Sequence, residues 1–89
     1  MKTEYLPSFI KDLKKLKKTA IYSEIKTLAF ETVPNSQDIT EINNLKKMKG
    51  YKNAYRIRAG DYRIGLLIDQ KTIIFSRVLH RKDVYRYFP

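Results

Sequence analysis

Eighty-nine residues, 43% apolar and 31% charged, suffice for one globular domain over residues 1–89 with a modest core. Nineteen basic residues against nine acidic ones leave a formal charge of +10, which points to nucleic acid, an anionic membrane or an acidic protein as partner. The lack of cysteine excludes disulfides and thiol chemistry and suits a reducing cytoplasm, and no aliphatic run is long enough to span a bilayer or serve as a signal segment.

The chain opens on a short predicted strand, Lys2 to Leu6, closed by Pro7. Ser8 is placed to cap a helix in which Phe9, Leu13 and Leu16 recur at helical spacing, while Lys11, Lys14, Lys15, Lys17 and Lys18 cover the remaining surface. A second helix is predicted from Thr19 or Ala20 to Thr32, with Ile21, Ile25, Leu28 and Ala29 as its stripe and Pro34-Asn35-Ser36 as its stop. Neither helix buries its stripe alone, so both are expected on the apolar face of a sheet. Gln37 to Asn53 reads mostly as loop, in which Lys46, Lys47, Lys49 and Lys52 surround Gly50 as a basic approach to the next segment.

That segment, Tyr55 to Leu66, reads as a β-hairpin turning at Gly60-Asp61. Such a turn sets Ala59 opposite Tyr62, Arg58 opposite Arg63, Ile57 opposite Ile64, Arg56 opposite Gly65 and Tyr55 opposite Leu66. Opposed residues share a face, so the apolar pairs fall on one side and three arginines on the other. Like charges opposed across a ladder destabilise it by up to about 1 kcal/mol, a liability that an anionic partner turns into a site. The same face also reads as a solvated basic surface, and both readings stand at this point. Arg56, facing a glycine, has open space beside its guanidinium.

The strand from Tyr62 continues to Asp69, and another runs from Thr72 to His80. A two-residue loop at Gln70-Lys71 sets Ile64 against Arg77 and forces a charge onto the apolar face. A three-residue loop, Asp69 to Lys71, sets Ile64 against Ser76, Arg63 against Arg77, Leu66 against Ile74 and Tyr62 against Val78. Burying an unpaired arginine is costly, so the second register is the expectation, with Arg77 and Arg81 joining the arginine face. The fold class is therefore α+β: two N-terminal helices packed on one face of a small antiparallel sheet, in the order β-α-α-β-β-β, with a short C-terminal tail. Eleven of thirteen lysines lie at or before Lys52 and all six arginines after it. Lysine-rich elements would then attract a polyanion and an arginine-rich sheet would position it.

Three stretches, Leu45-Lys46-Lys47-Met48-Lys49-Gly50, Tyr55 to Ile64 and His80-Arg81-Lys82-Asp83-Val84-Tyr85-Arg86, together resemble the RelE/ParE superfamily of bacterial type II toxins, and Ser8 to Leu13 is similar to that family's first helix. The resemblance covers nearly the whole chain. It implies a cytoplasmic toxin neutralised by a cognate antitoxin, acidic or amphipathic and RelB-like. The RelE branch cleaves messenger RNA in the ribosomal A site without a metal ion, whereas the ParE branch inhibits DNA gyrase. Arg56, Arg58, Arg63, Arg81 and Tyr85 look like the RelE catalytic set, which favours an mRNA interferase with ribosome and mRNA as partners. A gyrase inhibitor and a catalytically inactive RNA-binding homologue are the alternatives.

One departure matters: RelE-like enzymes often carry lysines where this chain has Arg56 and Arg58, and arginine stays protonated and cannot serve as general base. Attack of a ribose 2′-hydroxyl on the adjacent phosphate needs a proton acceptor, cations for the developing charge and a donor for the leaving oxygen. Arg58, Arg63 and Arg81 suit the phosphate, and Tyr85 could stack on a base or take a proton where adjacent arginines favour the phenolate. Lys46, Lys47, Lys49, Lys52, Arg77 and His80 are the expected RNA contacts. His80 is the only histidine, and strand parity puts it on the opposite side from Arg81. No carboxylate pair, metal-ligand cluster, nucleophile motif or glycine-rich phosphate loop is present, so no cofactor or metal is expected.

Overall fold

A computed structural model describes all 89 residues, Met1 to Pro89. Five strands form one sheet: β1 (Lys2–Tyr5), β2 (Leu45–Lys47), β3 (Ala54–Ala59), β4 (Tyr62–Asp69) and β5 (Thr72–His80), in the order β1-β5-β4-β3-β2. Every pairing is antiparallel except that of β1 with β5, which the long intervening chain permits. No helix is long and apolar enough to cross a membrane. The α+β architecture agrees with the expectation from the sequence.

Helix α1 (Pro7–Lys15) begins at a proline, whose fixed φ suits the first helical turn and whose missing N–H would have had no partner there. The expected Ser8 cap is not formed. Leu6 holds the cap position without a side-chain bond, and the Ser8 hydroxyl instead donates to the Ser76 carbonyl at 2.7 Å. Phe9, Leu13 and Leu16 are buried, as their spacing requires.

The second helical segment starts later and ends later than its pattern implies. Helix α2 (Tyr22–Thr27) runs into a π-helical turn (Leu28–Thr32) and then a last α turn, α3 (Val33–Asn35), so Pro34 lies within the segment rather than ending it. The π turn is how the proline is accommodated. The Val33 N–H donates to the Leu28 carbonyl, and the Ala29 carbonyl would next look to residue 34, which has no N–H. The Tyr5 hydroxyl donates to that carbonyl at 2.7 Å instead. Its ring is stacked between Phe30 and Phe75, with centroids 4.7 and 5.0 Å away.

Residues 37–53, expected to be mostly loop, hold a 3-10 turn (Ile39–Glu41) and strand β2. A three-residue edge strand has too little local pattern to be read. It exists because Leu45, Lys46 and Lys47 pair with Ile57, Arg56 and Tyr55, and its exposed lysines suit an edge.

The β3–β4 hairpin has the expected register throughout. The β4–β5 register does not. The loop is the two-residue one, with Gln70 at φ 56°, and it pairs Asp69 with Thr72 and Leu66 with Phe75. A bulge between Gly65 and Leu66 then leaves Ser76 unpaired, so Gly65 meets Arg77, Ile64 meets Val78 and Arg63 meets Leu79. One additional residue exchanges the faces midway along β5 and removes the conflict that made the short loop look costly.

The sheet is covered on both sides, unequally. Ile57, Ile64, Leu66, Ile73, Phe75 and Val78 meet α1 and α2 in a core of 14 buried residues. On the other face Met48, Ala54, Val84 and Phe88 form a separate cluster of 4, joined by Leu67 and Leu79. The tail supplies Val84 and Phe88 through a short helix, α4 (Val84–Tyr87).

Candidate functional site

The face that carries the small cluster also carries the arginines. Across it run two rows, Lys46–Arg56–Gly65–Arg77 and Arg58–Arg63–Leu79. Beyond the tail the rows open into a concavity of about 350 Å³ lined by Asn44, Leu45, Lys46, Arg56, Arg58 and Arg63. Asn44, at φ 64°, turns the chain into β2 and accepts from the Arg58 N–H at 3.3 Å. A larger hollow of about 580 Å³ lies at the opposite end, by Met1, Ile39 and Gln70. Size does not make it the better candidate: of its cations Lys2, Lys71 and the Met1 amine, the amine is already bonded to the Pro34 and Ser36 carbonyls, Asp38 lines the same hollow, and no arginine reaches it.

Arg63 stands at the centre. Its Nη1 donates to the Gly60 and Tyr62 carbonyls at 2.8 and 3.0 Å, which fixes the guanidinium beside the hairpin turn. Its pKa is lowered, first by burial, then by the positive charges of Arg56 and Arg58; Tyr85 opposes this and Arg81 adds to it. Five groups expected to act together are thus within electrostatic reach of one another. Arg81 is held by its backbone, whose N–H donates to the Asp61 carbonyl at 2.7 Å, while its Nε lies 3.8 Å from the Asp61 carboxylate on the open surface. Tyr85 is 64% exposed.

The other expected contacts are dispersed. Arg77 belongs to the arginine face by register, but its Nε and Nη2 donate to the buried Asp12 carboxylate at 2.6 and 3.2 Å. Asp12 also accepts the Val78 N–H at 3.1 Å, closing the stretch of β5 that β1 is too short to cover. The side-chain hydrogen bond between Arg77 and Asp12 raises the Arg77 pKa; burial opposes the rise and the charge of Asp12 adds to it. His80 lies on the helix side, edge-on to Tyr62 at 5.4 Å, and its Nδ1 accepts from the Lys82 N–H at 3.2 Å. Lys46 lines the concavity, Lys47 pairs with Tyr55 and points to the opposite face, and Lys49 and Lys52 stand exposed between β2 and β3.

Sequence reasoning missed Asn44, Asp61 and Phe88 as parts of this site. A polar residue before β2 and an acid in the hairpin turn carried no separate signal. The space expected beside Arg56 is filled: a Cβ built on Gly65 would lie 2.7 Å from the Phe88 ring. The glycine marked the gap, but its occupant comes from 23 residues further along the chain.

A model of the family described as the ParE toxin of the type II toxin-antitoxin system parDE matches residues 3–85. Toxin RelE3 of Methanocaldococcus jannaschii is 48% identical over 90 residues, with both chains covered in full. Among solved structures, the RelB–RelE antitoxin–toxin complex from Methanococcus jannaschii superposes with a TM-score of 0.79 at 46% identity, covering 97% of this chain and 99% of that one. The Escherichia coli DinJ–YafQ complex gives 0.73 at 17% identity over 93% and 96%, which is a likeness of fold. With a family match spanning residues 3–85 and a full-length relative at 48% identity, the chain belongs to the RelE/ParE superfamily of type II toxin–antitoxin toxins.

Proposed function

We propose that this toxin is a ribosome-dependent endoribonuclease that cleaves messenger RNA in the ribosomal A site and so stops translation in the cytoplasm. The observation that carries the reading is the convergence of Arg56, Arg58, Arg63 and Lys46 on one concavity, with Arg81 and Tyr85 close enough to act on the charge of Arg63. In the reaction a 2′-hydroxyl loses its proton, its oxygen bonds to the adjacent phosphorus, and the bond to the 5′-oxygen breaks as that oxygen gains a proton. The phosphate accumulates negative charge at the midpoint, and fixed guanidiniums stabilise it without reorganising. Arg58, Arg63 and Arg81 take that role, and Arg56 holds a neighbouring phosphate. Arginine does not exchange its proton at working pH, so proton transfer falls to the Tyr85 hydroxyl or the Lys46 amine.

A RelB-like antitoxin is the proposed restraining partner, supported by the relatives solved as RelB–RelE complexes. The test adds purified toxin to programmed ribosomes and maps cuts by primer extension. A-site cuts with the wild type, absent with Arg63→Ala and Arg81→Ala, are expected. Equal cutting by wild type and both variants would refute the reading. The family description names ParE, which favours gyrase inhibition as second reading. On induction in cells, nuclease action first halts protein synthesis, whereas gyrase inhibition first produces filaments and DNA-damage signalling.

A further inference from the structure

We propose that Phe88 and Gly65 form a ring-in-slot latch that holds the tail turn bearing Tyr85 against the arginine face of the sheet. Its effect on cleavage rests on the endoribonuclease reading, whereas its effect on the tail does not. Gly65 lies between Arg56 and Arg77 in the register, and a Cβ there would meet Phe88 Cδ2, Cγ and Cδ1 at 2.7, 2.8 and 3.0 Å. Such distances are shorter than real Cβ contacts, so the ring lies directly on the glycine backbone. Gly65 has no positive φ, and close approach alone requires the glycine.

The two ends of the tail are held differently. Upstream, backbone bonds tie Arg81 to Asp61 and Asp83 to His80, at 2.7 and 2.8 Å. Downstream the hold is apolar: Phe88 is 3% exposed and Val84 fully buried. The Phe88 N–H donates to the Val84 carbonyl at 2.9 Å, closing one helical turn that directs both side chains into the small cluster. Tyr85, next to Val84 on that turn, is thereby rotated outward into solvent, and its hydroxyl is close enough to act on the charge of Arg63. Phe88 is a positioning residue, and its ring lies on Gly65 between Arg56 and Arg77, whose guanidinium is already held by Asp12. Because this cluster is separate from the 14-residue core, the latch can open without unfolding the helix side.

The test compares Phe88→Ala, Phe88→Leu, Gly65→Ala and the double Gly65→Ala/Phe88→Ala variant with wild type, all as full chains. Amide hydrogen exchange at residues 84–88 is expected to speed up about tenfold or more in Phe88→Ala and Gly65→Ala, with the amides of α1 and of the β1–β5 ladder unchanged. Single-turnover cleavage on programmed ribosomes is expected to fall about 10²-fold in each, with ribosome binding within about threefold, as for a misplaced catalytic group. Phe88→Leu, which keeps volume but not flatness, should fall between. The double variant should be no worse than either single, since ring and slot act as one unit. Additive losses, unchanged exchange in the tail, or exchange rising equally throughout the sheet would each overturn the latch. If wild type does not cleave at all, the endoribonuclease reading fails, and hydrogen exchange alone decides the latch.

Discussion

Arg63 is where repulsion and fixation meet in one side chain. Its neighbours Arg56 and Arg58 disfavour its charge, while two backbone carbonyls hold it. Relieving the first and losing the second offset one another, so Arg63→Ala is expected to change unfolding stability by less than about 1 kcal/mol. Cleavage should fall by about 10²-fold or more, the scale of losing one charge-stabilising group. Arg63→Lys should recover little, because one amine cannot reproduce a fixed fork. Urea unfolding and single-turnover cleavage on the same samples decide it; a marked loss of stability with cleavage retained would make Arg63 structural. Asp12 is the converse case. Asp12→Ala strands the Val78 N–H and the Arg77 guanidinium, and should cost about 3 kcal/mol. The raised Arg77 pKa means that the arginine's share of this stability is complete below the ordinary arginine value and lost only as pH rises through the higher one. Deprotonation of Arg77 should therefore contribute no slope to stability around neutral pH.

Among the elements, the α2–π–α3 segment shows a proline absorbed by a change of helical pitch. The Ala29 carbonyl has Tyr5 as its side-chain partner, so Tyr5→Phe should cost about 1–2 kcal/mol by thermal unfolding. Pro34→Ala restores an N–H five residues after Ala29. In that background Tyr5→Phe should cost measurably less, and equal costs in the two backgrounds would show that the proline is not what leaves the carbonyl free. Strand β2 and the bulge in β5 are the other features invisible to local pattern. Both shape the arginine face, since β2 brings Lys46 beside Arg56 and the bulge places Arg77 opposite Gly65 rather than Ile64.

The whole molecule carries +10 with almost no internal compensation. Both ion pairs in the structure use arginines, and Asp12, the one acid in α1, is turned inward. The lysines of α1 therefore face solvent without a paired carboxylate; on the proposed reading their field draws a polyanion and the arginine rows orient it. Ribosome association should weaken steeply with salt. Lys14→Gln/Lys15→Gln/Lys18→Gln should flatten that dependence and leave single-turnover cleavage at saturation unchanged, whereas Arg58→Ala should lower cleavage at saturation. An antitoxin that binds only the folded toxin should raise its unfolding temperature in proportion to the logarithm of antitoxin concentration. An unchanged melting curve with antitoxin in excess would refute the partnership.

The hairpin was legible from residues 55–66 alone because a two-residue turn forces its register, and every predicted pair follows from adjacency along the chain. The helix stripes, the arginine-against-lysine division and the family likeness are equally local properties. What tertiary structure decided was everything settled by residues far apart. The Ser76 bulge shifts the β4–β5 register midway; Asp12 claims Arg77 across 65 residues; and Phe88 occupies the space that Gly65 leaves open. Local pattern records which face a side chain takes, whereas hydrogen bonding and close packing select its partner, and that choice exists only once distant segments meet.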